Sequence, residues 1–205
     1  MLFIDEIKAA YHYDPAARHI EVLLYQGLWA VWLHKFAHLL WILHIPLLPR
    51  IISQLNRFLT GIEIHPGAKL GRGVFIDHGF GVVIGETAVI GDNCLIYHGV
   101  TLGGTNTHRV KRHPTIGKNT IIGCGAKILG DIRIGNNCKI GANAVVVKDV
   151  PDNATVVGMP GRTILQAEQK ADTVWKDMPD PVQDTIVNLI GRIVELEKKL
   201  RTPEK

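Results

Sequence analysis

From Ile64 onward an aliphatic residue returns every six positions, as Ile64, Leu70 and Ile76, then as Ile84, Ile90, Ile96 and Leu102. After a gap the period resumes at Ile116, Ile122, Ile128, Ile134, Ile140 and Val146, often followed by Gly, as in Ile90-Gly91, Ile116-Gly117, Ile134-Gly135 and Ile140-Gly141. A helix, with its period of 3.6, cannot keep these residues on one face. Short strands joined by tight turns can: each hexapeptide then supplies one inward aliphatic side chain and one corner where Gly or Asn accepts a positive φ. Three such strands close a triangular coil, and stacked coils bury a continuous core. The spacing therefore predicts a parallel β-helix of the hexapeptide-repeat kind.

The period breaks twice, and breaks in a solenoid are where functional residues collect. The first break, between Ile76 and Ile84, holds Asp77-His78-Gly79-Phe80-Gly81. The second, between Leu102 and Ile116, runs from Gly103 to Pro114, is too polar for a coil, and is expected to leave the prism. Cys94 and Cys138 fall four residues after the aliphatic position and Cys124 two after it, where a small side chain fits a turn. Structural filler is their expected role.

Composition narrows the classes of function. The 205 residues carry 23 basic and 19 acidic side chains, intermixed with no dense cationic block, for a net charge of +4. That favours a small anionic ligand over nucleic acid. Asp5 and Glu6 stand where an export signal needs basic residues, and three cysteines without CxxC spacing fit neither a disulfide scaffold nor a closed zinc site, so a cytoplasmic protein is expected. The apolar stretch Val22 to Leu48 is interrupted by His34, Lys35, His38, His44 and Pro46 and leaves no run of the roughly 20 residues that a bilayer requires.

Two helical flanks complete the plan. Asp14-Pro15 reads as a helix start, with Asp as N-cap and Pro in the first turn, and Leu24, Leu28, Val31, Leu39 and Leu43 suit its buried faces. A second short helix through Leu55 and Phe58 leads to Thr60-Gly61. At the other end Asp180-Pro181 precedes Val182, Ile186, Leu189, Ile193, Leu196 and Leu200, a short heptad seam suited to an oligomer already held by other contacts. The expected organisation is mainly β: a helical segment over 1–60, a β-helix over 61–163, and a linker with a C-terminal helix over 164–205.

The breaks contain residues suited to acid–base chemistry on a hydroxyl group. Histidine is mostly neutral at cellular pH and can take a proton from an alcohol, which makes His78 the candidate base; the competing role is a turn cap. Glu63, fifteen residues earlier, is expected near the same corner of the adjacent coil, where a carboxylate can orient the imidazole. Arg112 can grip a substrate carboxylate with two N–H groups and His113 can bind or polarise the acceptor, unless both merely belong to a solvated loop. Asp14 is either a cap alone or a substrate contact. Lys127, Lys139 and Lys148 are either solvated surface or partners for ligand phosphates.

The segments Ile62 to Ala68, Ile76-Asp77-His78-Gly79, Val83 to Thr87, Thr101 to Thr105, Arg112-His113-Pro114 and Gly125 to Gly130 closely resemble the serine O-acetyltransferase family, over roughly Asp14 to Arg162. The resemblance implies a left-handed parallel β-helix that forms a homotrimer with active sites between neighbouring subunits. It further implies acetyl-CoA as co-substrate without a metal, L-serine as acceptor, and O-acetyl-L-serine as product on the way to cysteine. By the same resemblance His78 is the general base and Glu63 its partner, while Asp14, Asp77, Arg112 and His113 bind serine. Gly104, Thr105, Cys124, Ala126, Lys139 and Ala142 match the stretches that line the CoA groove.

Three departures qualify the match. Glu63 stands where many members carry Asp, a longer arm that reaches His78 if the backbone adjusts. The amino-terminal helical part is short beside that of members in which two trimers join, so a trimer is the first expectation and a dimer of trimers the second. The ending Thr202-Pro203-Glu204-Lys205 lacks the final Ile common in members that dock onto O-acetylserine sulfhydrylase, which argues against that association. Rival readings are transfer to a sugar or antibiotic hydroxyl, a zinc-dependent γ-carbonic-anhydrase-like enzyme using His78, His108 and His113, and a non-catalytic scaffold.

Overall fold

Sheet pairing carries the six-residue period directly into the architecture. The computed structural model describes residues 4–159, 161–166 and 181–201. Its first coil comprises β1 (Glu63–Ile64), β2 (Lys69–Leu70) and β3 (Phe75–Asp77), and its second β4 (Val83–Ile84), β5 (Val89–Ile90) and β6 (Leu95–Tyr97). The third is β7 (Thr101–Gly103), β8 (Thr115–Ile116) and β9 (Ile121–Ile122), and the fourth β10 (Lys127–Leu129), β11 (Arg133–Ile134) and β12 (Lys139–Ile140). A fifth turn holds β13 (Val145–Val146) and β14 (Ala154–Val157), and β15 (Arg162–Gln166) pairs back onto β14 in antiparallel fashion. Equivalent strands stack in parallel as three walls, β1-β4-β7-β10-β13, β2-β5-β8-β11 and β3-β6-β9-β12-β14.

The repeated aliphatic residues lie in register: Ile64 beside Ile84, Ile84 beside Leu102, Leu102 beside Ile128, and Ile128 beside Val146. All are buried except Leu70, which packs partly exposed against the same core. Both breaks are absorbed without a slip, since Ile76 still pairs with Ile96 and Ile90 with Ile116. One corner is an asparagine ladder: Asn93, Asn119, Asn137 and Asn153 all adopt positive φ. Their side-chain amides link coil to coil at 3.5, 3.1 and 2.9 Å. Cys94 and Cys138 are buried as expected, and burial pushes the Cys94 thiol up to about 12, so it stays protonated and inert.

The helical flank departs from the sequence reading at its start. A helix α1 (Ile4–Tyr13) precedes Asp14, which does not cap the next helix but closes a turn, accepting the Ala16 N–H at 2.8 Å. A short 3₁₀ segment, His19–Leu24, then leads into α2 (Gln26–Ile42), followed by α3 (Leu48–Thr60). Proline fits the turn as well as a helix start, so the dipeptide signal was ambiguous. Leu28 and Val31 are buried, whereas Leu24, Leu39 and Leu43 are exposed. Apolar residues are spread around most of α2, and small residues decide which face docks. Gly27 lies so close to the first coil that a Cβ there would come within 1.9 Å of the Ile76 carbonyl oxygen.

α3 turns its polar edge inward. Asn56 donates to the Ala30 carbonyl at 2.9 Å and Ser53 to the Ile64 carbonyl at 3.2 Å, while Leu55 and Phe58 face outward. Two compact units emerge, Met1–Thr173 and Val174–Lys205. The second contains α4 (Pro181–Arg201), which begins at the predicted proline and exposes Ile186, Leu189, Ile193 and Leu196 of the seam. The side chains of Val182 and Leu200, and the ending Thr202 to Lys205, fall outside the described residues.

Candidate active site

His78 closes β3 in the left-handed region, at φ 57°, and its side chain is 77% exposed. A non-glycine residue held there is strained, and such strain is characteristic of functional positions. Asp77 lies beside it, with Oδ2 3.9 Å from His78 Nε2. Burial pushes the Asp77 carboxyl above its ordinary value; His78 opposes the rise and the nearby charge of Asp14 adds to it. Asp14 itself is held by Tyr25, whose hydroxyl donates to Oδ2 at 2.6 Å. That hydrogen bond, with burial and the neighbouring carboxylates, drives the tyrosine up to about 12.

The structure thus gathers Asp14, Asp77 and His78 at one corner and adds two residues the sequence reading missed, Tyr25 and His98. The His98 ring stands 6.1 Å from that of His78, nearly edge to face. Neither carries a motif signal, because a lone Tyr before a helix and a lone His in a repeat gain meaning only after folding. Glu63 behaves differently from the expectation. Among the described residues its carboxylate pairs with Arg57 of α3 at 3.3 Å rather than with His78. Its longer arm lets it reach the helix.

Arg112 and His113 lie elsewhere, at the corner between β4 and β5. Arg112 forms an ion pair with Glu86 at 3.0 Å and donates to the His108 carbonyl. The Thr87 hydroxyl accepts the backbone N–H groups of both Arg112 and His113. His113 is buried over Gly85, and its Nδ1 accepts the Thr87 N–H at 3.2 Å. This pattern assigns the ring proton to Nε2. Burial, helped by the Arg112 charge, holds its imidazole below the ordinary range, hence neutral with one N–H to offer. Within one chain the His78 group and the Arg112–His113 group occupy opposite edges of the same sheet wall.

The remaining predicted positions divide between these edges. Gly104 and Thr105 are exposed at the start of the excursion, on the Arg112 side. A Cβ on Gly104 would meet the Arg112 side chain at 3.2 Å. Cys124 and Ala142 lie on the His78 side, linked where Asn143 N–H donates to the Cys124 carbonyl. Lys139 belongs to β12. Ala126 is fully buried in the core, so its side chain cannot line a groove and it offers only backbone.

Parallel coils, an excursion loop and an acid–base cluster at a coil corner together define a hexapeptide-repeat transferase. The family described as bacterial transferase hexapeptide (six repeats) matches residues 113–148. The serine acetyltransferase of Synechococcus elongatus is 52% identical over 198 residues, 95% of this chain and 81% of that one. Among solved structures, the Neisseria gonorrhoeae serine acetyltransferase superimposes with a TM-score of 0.80 at 42% identity, covering 82% of this chain and 67% of that one. The Brucella abortus serine acetyltransferase in complex with coenzyme A gives 0.78 at 43%, over 80% and 67%. The chain belongs to the serine acetyltransferase family.

Proposed function

We propose that this protein transfers the acetyl group of acetyl-CoA to the hydroxyl of L-serine, giving O-acetyl-L-serine and CoA, as a cytoplasmic step towards cysteine. The observation that carries this reading is the cluster of Asp14, Tyr25, Asp77 and His78, which sets an exposed, strained imidazole beside two carboxylates. The carboxylates suit the ammonium group of an amino acid. The imidazole suits its hydroxyl proton. That a relative of the same fold binds coenzyme A supports the donor.

Transfer is direct. His78 accepts the serine proton as the oxygen attacks the thioester carbonyl carbon, and it returns that proton to the departing thiolate. Asp77 orients the ring and favours its protonated form. Arg112 holds the serine carboxylate with two N–H groups, and His113 contributes its Nε2–H. Because these two stand on the opposite edge from His78, they serve the His78 of a neighbouring copy in a homotrimer. Glu63, engaged by Arg57, supports His78 through the first coil rather than by contact. The CoA chain runs past Cys124 and Ala142, with Lys139 near its phosphates and Gly104 and Thr105 of the neighbouring copy opposite.

The testing experiment follows thiol release from acetyl-CoA with L-serine, L-threonine, a sugar alcohol and an aminoglycoside as acceptors. Serine should give by far the largest kcat/KM. A sugar or antibiotic hydroxyl acetylated in preference to serine would overturn the acceptor assignment while leaving the transferase class standing.

A further inference from the structure

Asp14 comes to the His78 corner from outside the prism, and its carboxylate is tied there from two directions. It follows α1 directly, its N–H donating to the Ala10 carbonyl at 2.9 Å. Its Oδ1 accepts the Ala16 N–H at 2.8 Å, a bond within its own turn. Its Oδ2 accepts from the Tyr25 hydroxyl at 2.6 Å, across eleven residues. Tyr25 is in turn fixed to the strand that carries the base. It stands at the start of α2, where its N–H donates to the Val22 carbonyl at 3.0 Å and its own carbonyl accepts the Leu28 N–H at 3.1 Å. Its ring stacks on that of Phe75, with centroids 6.4 Å and planes 29° apart, and Phe75 is a buried residue of β3, two positions before Asp77. Just beyond it, Gly27 packs against the Ile76 carbonyl of the same strand. The phenol is therefore a strut between the strand that holds Asp77 and His78 and the turn that holds Asp14.

An ionised carboxylate accepts at about four lone-pair sites. Ala16 and Tyr25 use one on each oxygen of Asp14, which stops the group from turning about its terminal bond and leaves the other sites to a ligand. The Tyr25 proton stays in place throughout the working range, because that hydroxyl is pushed up to about 12. Asp77 feels the charge of Asp14, so an ammonium group set between the two carboxylates relieves a repulsion that an uncharged acceptor leaves standing. We propose that Tyr25 is a positioning residue that makes this site selective for acceptors carrying an amino group, by holding the Asp14 carboxylate where it meets the ammonium of serine beside Asp77. Tyr25 acts through Asp14 and takes no part in the proton transfer at His78.

The inference rests on the proposed serine acetyltransfer, and one experiment separates the two. Steady-state kinetics with acetyl-CoA are measured for the wild type, Tyr25→Phe, Asp14→Asn and the double variant, with thermal melts confirming that each is folded. The acceptors are L-serine, ethanolamine, which lacks the carboxylate, and 3-hydroxypropanoate, which lacks the amino group. An acceptor turned over too slowly to follow is read as a competitive inhibitor against serine. A hydrogen bond to a charged group is commonly worth about tenfold or more, so Tyr25→Phe should raise the KM for serine and for ethanolamine by about tenfold. The kcat with serine, the KM for acetyl-CoA and the constant for 3-hydroxypropanoate should stay within about twofold, which narrows the preference for serine over 3-hydroxypropanoate by about tenfold. Asp14→Asn should lose at least as much, and Tyr25→Phe added to it should cost less than about twofold more, because the two residues form one contact. Should Tyr25→Phe fail to fold, Tyr25→Leu takes its place, keeping an apolar side chain against Phe75. An unchanged serine KM, equal losses for serine and 3-hydroxypropanoate, or losses that add in the double variant would overturn the role of Tyr25 alone. A wild type that leaves acetyl-CoA intact with serine would overturn the proposed function as well.

Discussion

Thr87 fixes the loop that carries Arg112 and His113. Its hydroxyl accepts from the backbones of Arg112 and His113 and stands 2.9 Å from His113 Nδ1, so one side chain sets both the loop path and the tautomer. Gly85 completes the seat. A Cβ there would approach the His113 ring to 2.1 Å, and the ring would have to leave. Gly85→Ala should therefore reduce kcat/KM for serine by about a hundredfold, the usual cost of a misplacement of around 1 Å, while the melting temperature changes little. Unchanged serine kinetics would mean that the seated position of His113 is not the working one. His78, Asp77, Arg112 and His113 were legible in the sequence because they interrupt a strict period. Thr87, Tyr25 and His98 were not, since each sits where the period is intact or absent and acts through contacts that only folding creates.

Elements differ in how much of them local sequence determines. The coils were readable because each hexapeptide encodes its own inward residue and its own corner, independent of the rest of the chain. The docked face of α2 was not: its apolar residues are spread around most of the helix, and the face that docks follows from Gly27 and Ala30 meeting the first coil rather than from the leucine spacing. That docking buries His34. Burial, with the nearby His38, drives its imidazole down to about 3, against a weaker opposing hydrogen bond that the ring donates to the Ala68 backbone. The unfolded chain takes up this proton near the ordinary value of about 6.5, whereas the folded chain does so only near 3. Stability is thus fully present above about 6.5 and is lost as pH falls towards 3. Urea midpoints measured across this range should fall with acidity, and His34→Leu should flatten the slope. An identical slope in the variant would show that other groups control acid unfolding.

At the largest scale the two groups of candidate residues stand apart. The wall that begins with β1 has His78 at one edge and Arg112 with His113 at the other, an arrangement that the proposed function completes with a neighbouring copy. Leu24, Phe36, Phe58 and Phe80 are exposed on the same unit, the last of them two residues from His78. They are side chains that the proposed assembly with further copies would cover. The expectation of a trimer rests on the resemblance alone, because no local pattern states which edge faces which. The most direct measurement is serine-dependent thiol release from acetyl-CoA by the wild type, by His78→Ala, by His113→Ala, and by the two variants refolded together. Each variant alone should be slower than the wild type, His78→Ala by about 10²-fold or more, and the mixture should recover activity in sites that pair an intact His78 with an intact His113. Near-normal turnover by folded His78→Ala, or a mixture no faster than the variants apart, would contradict the account.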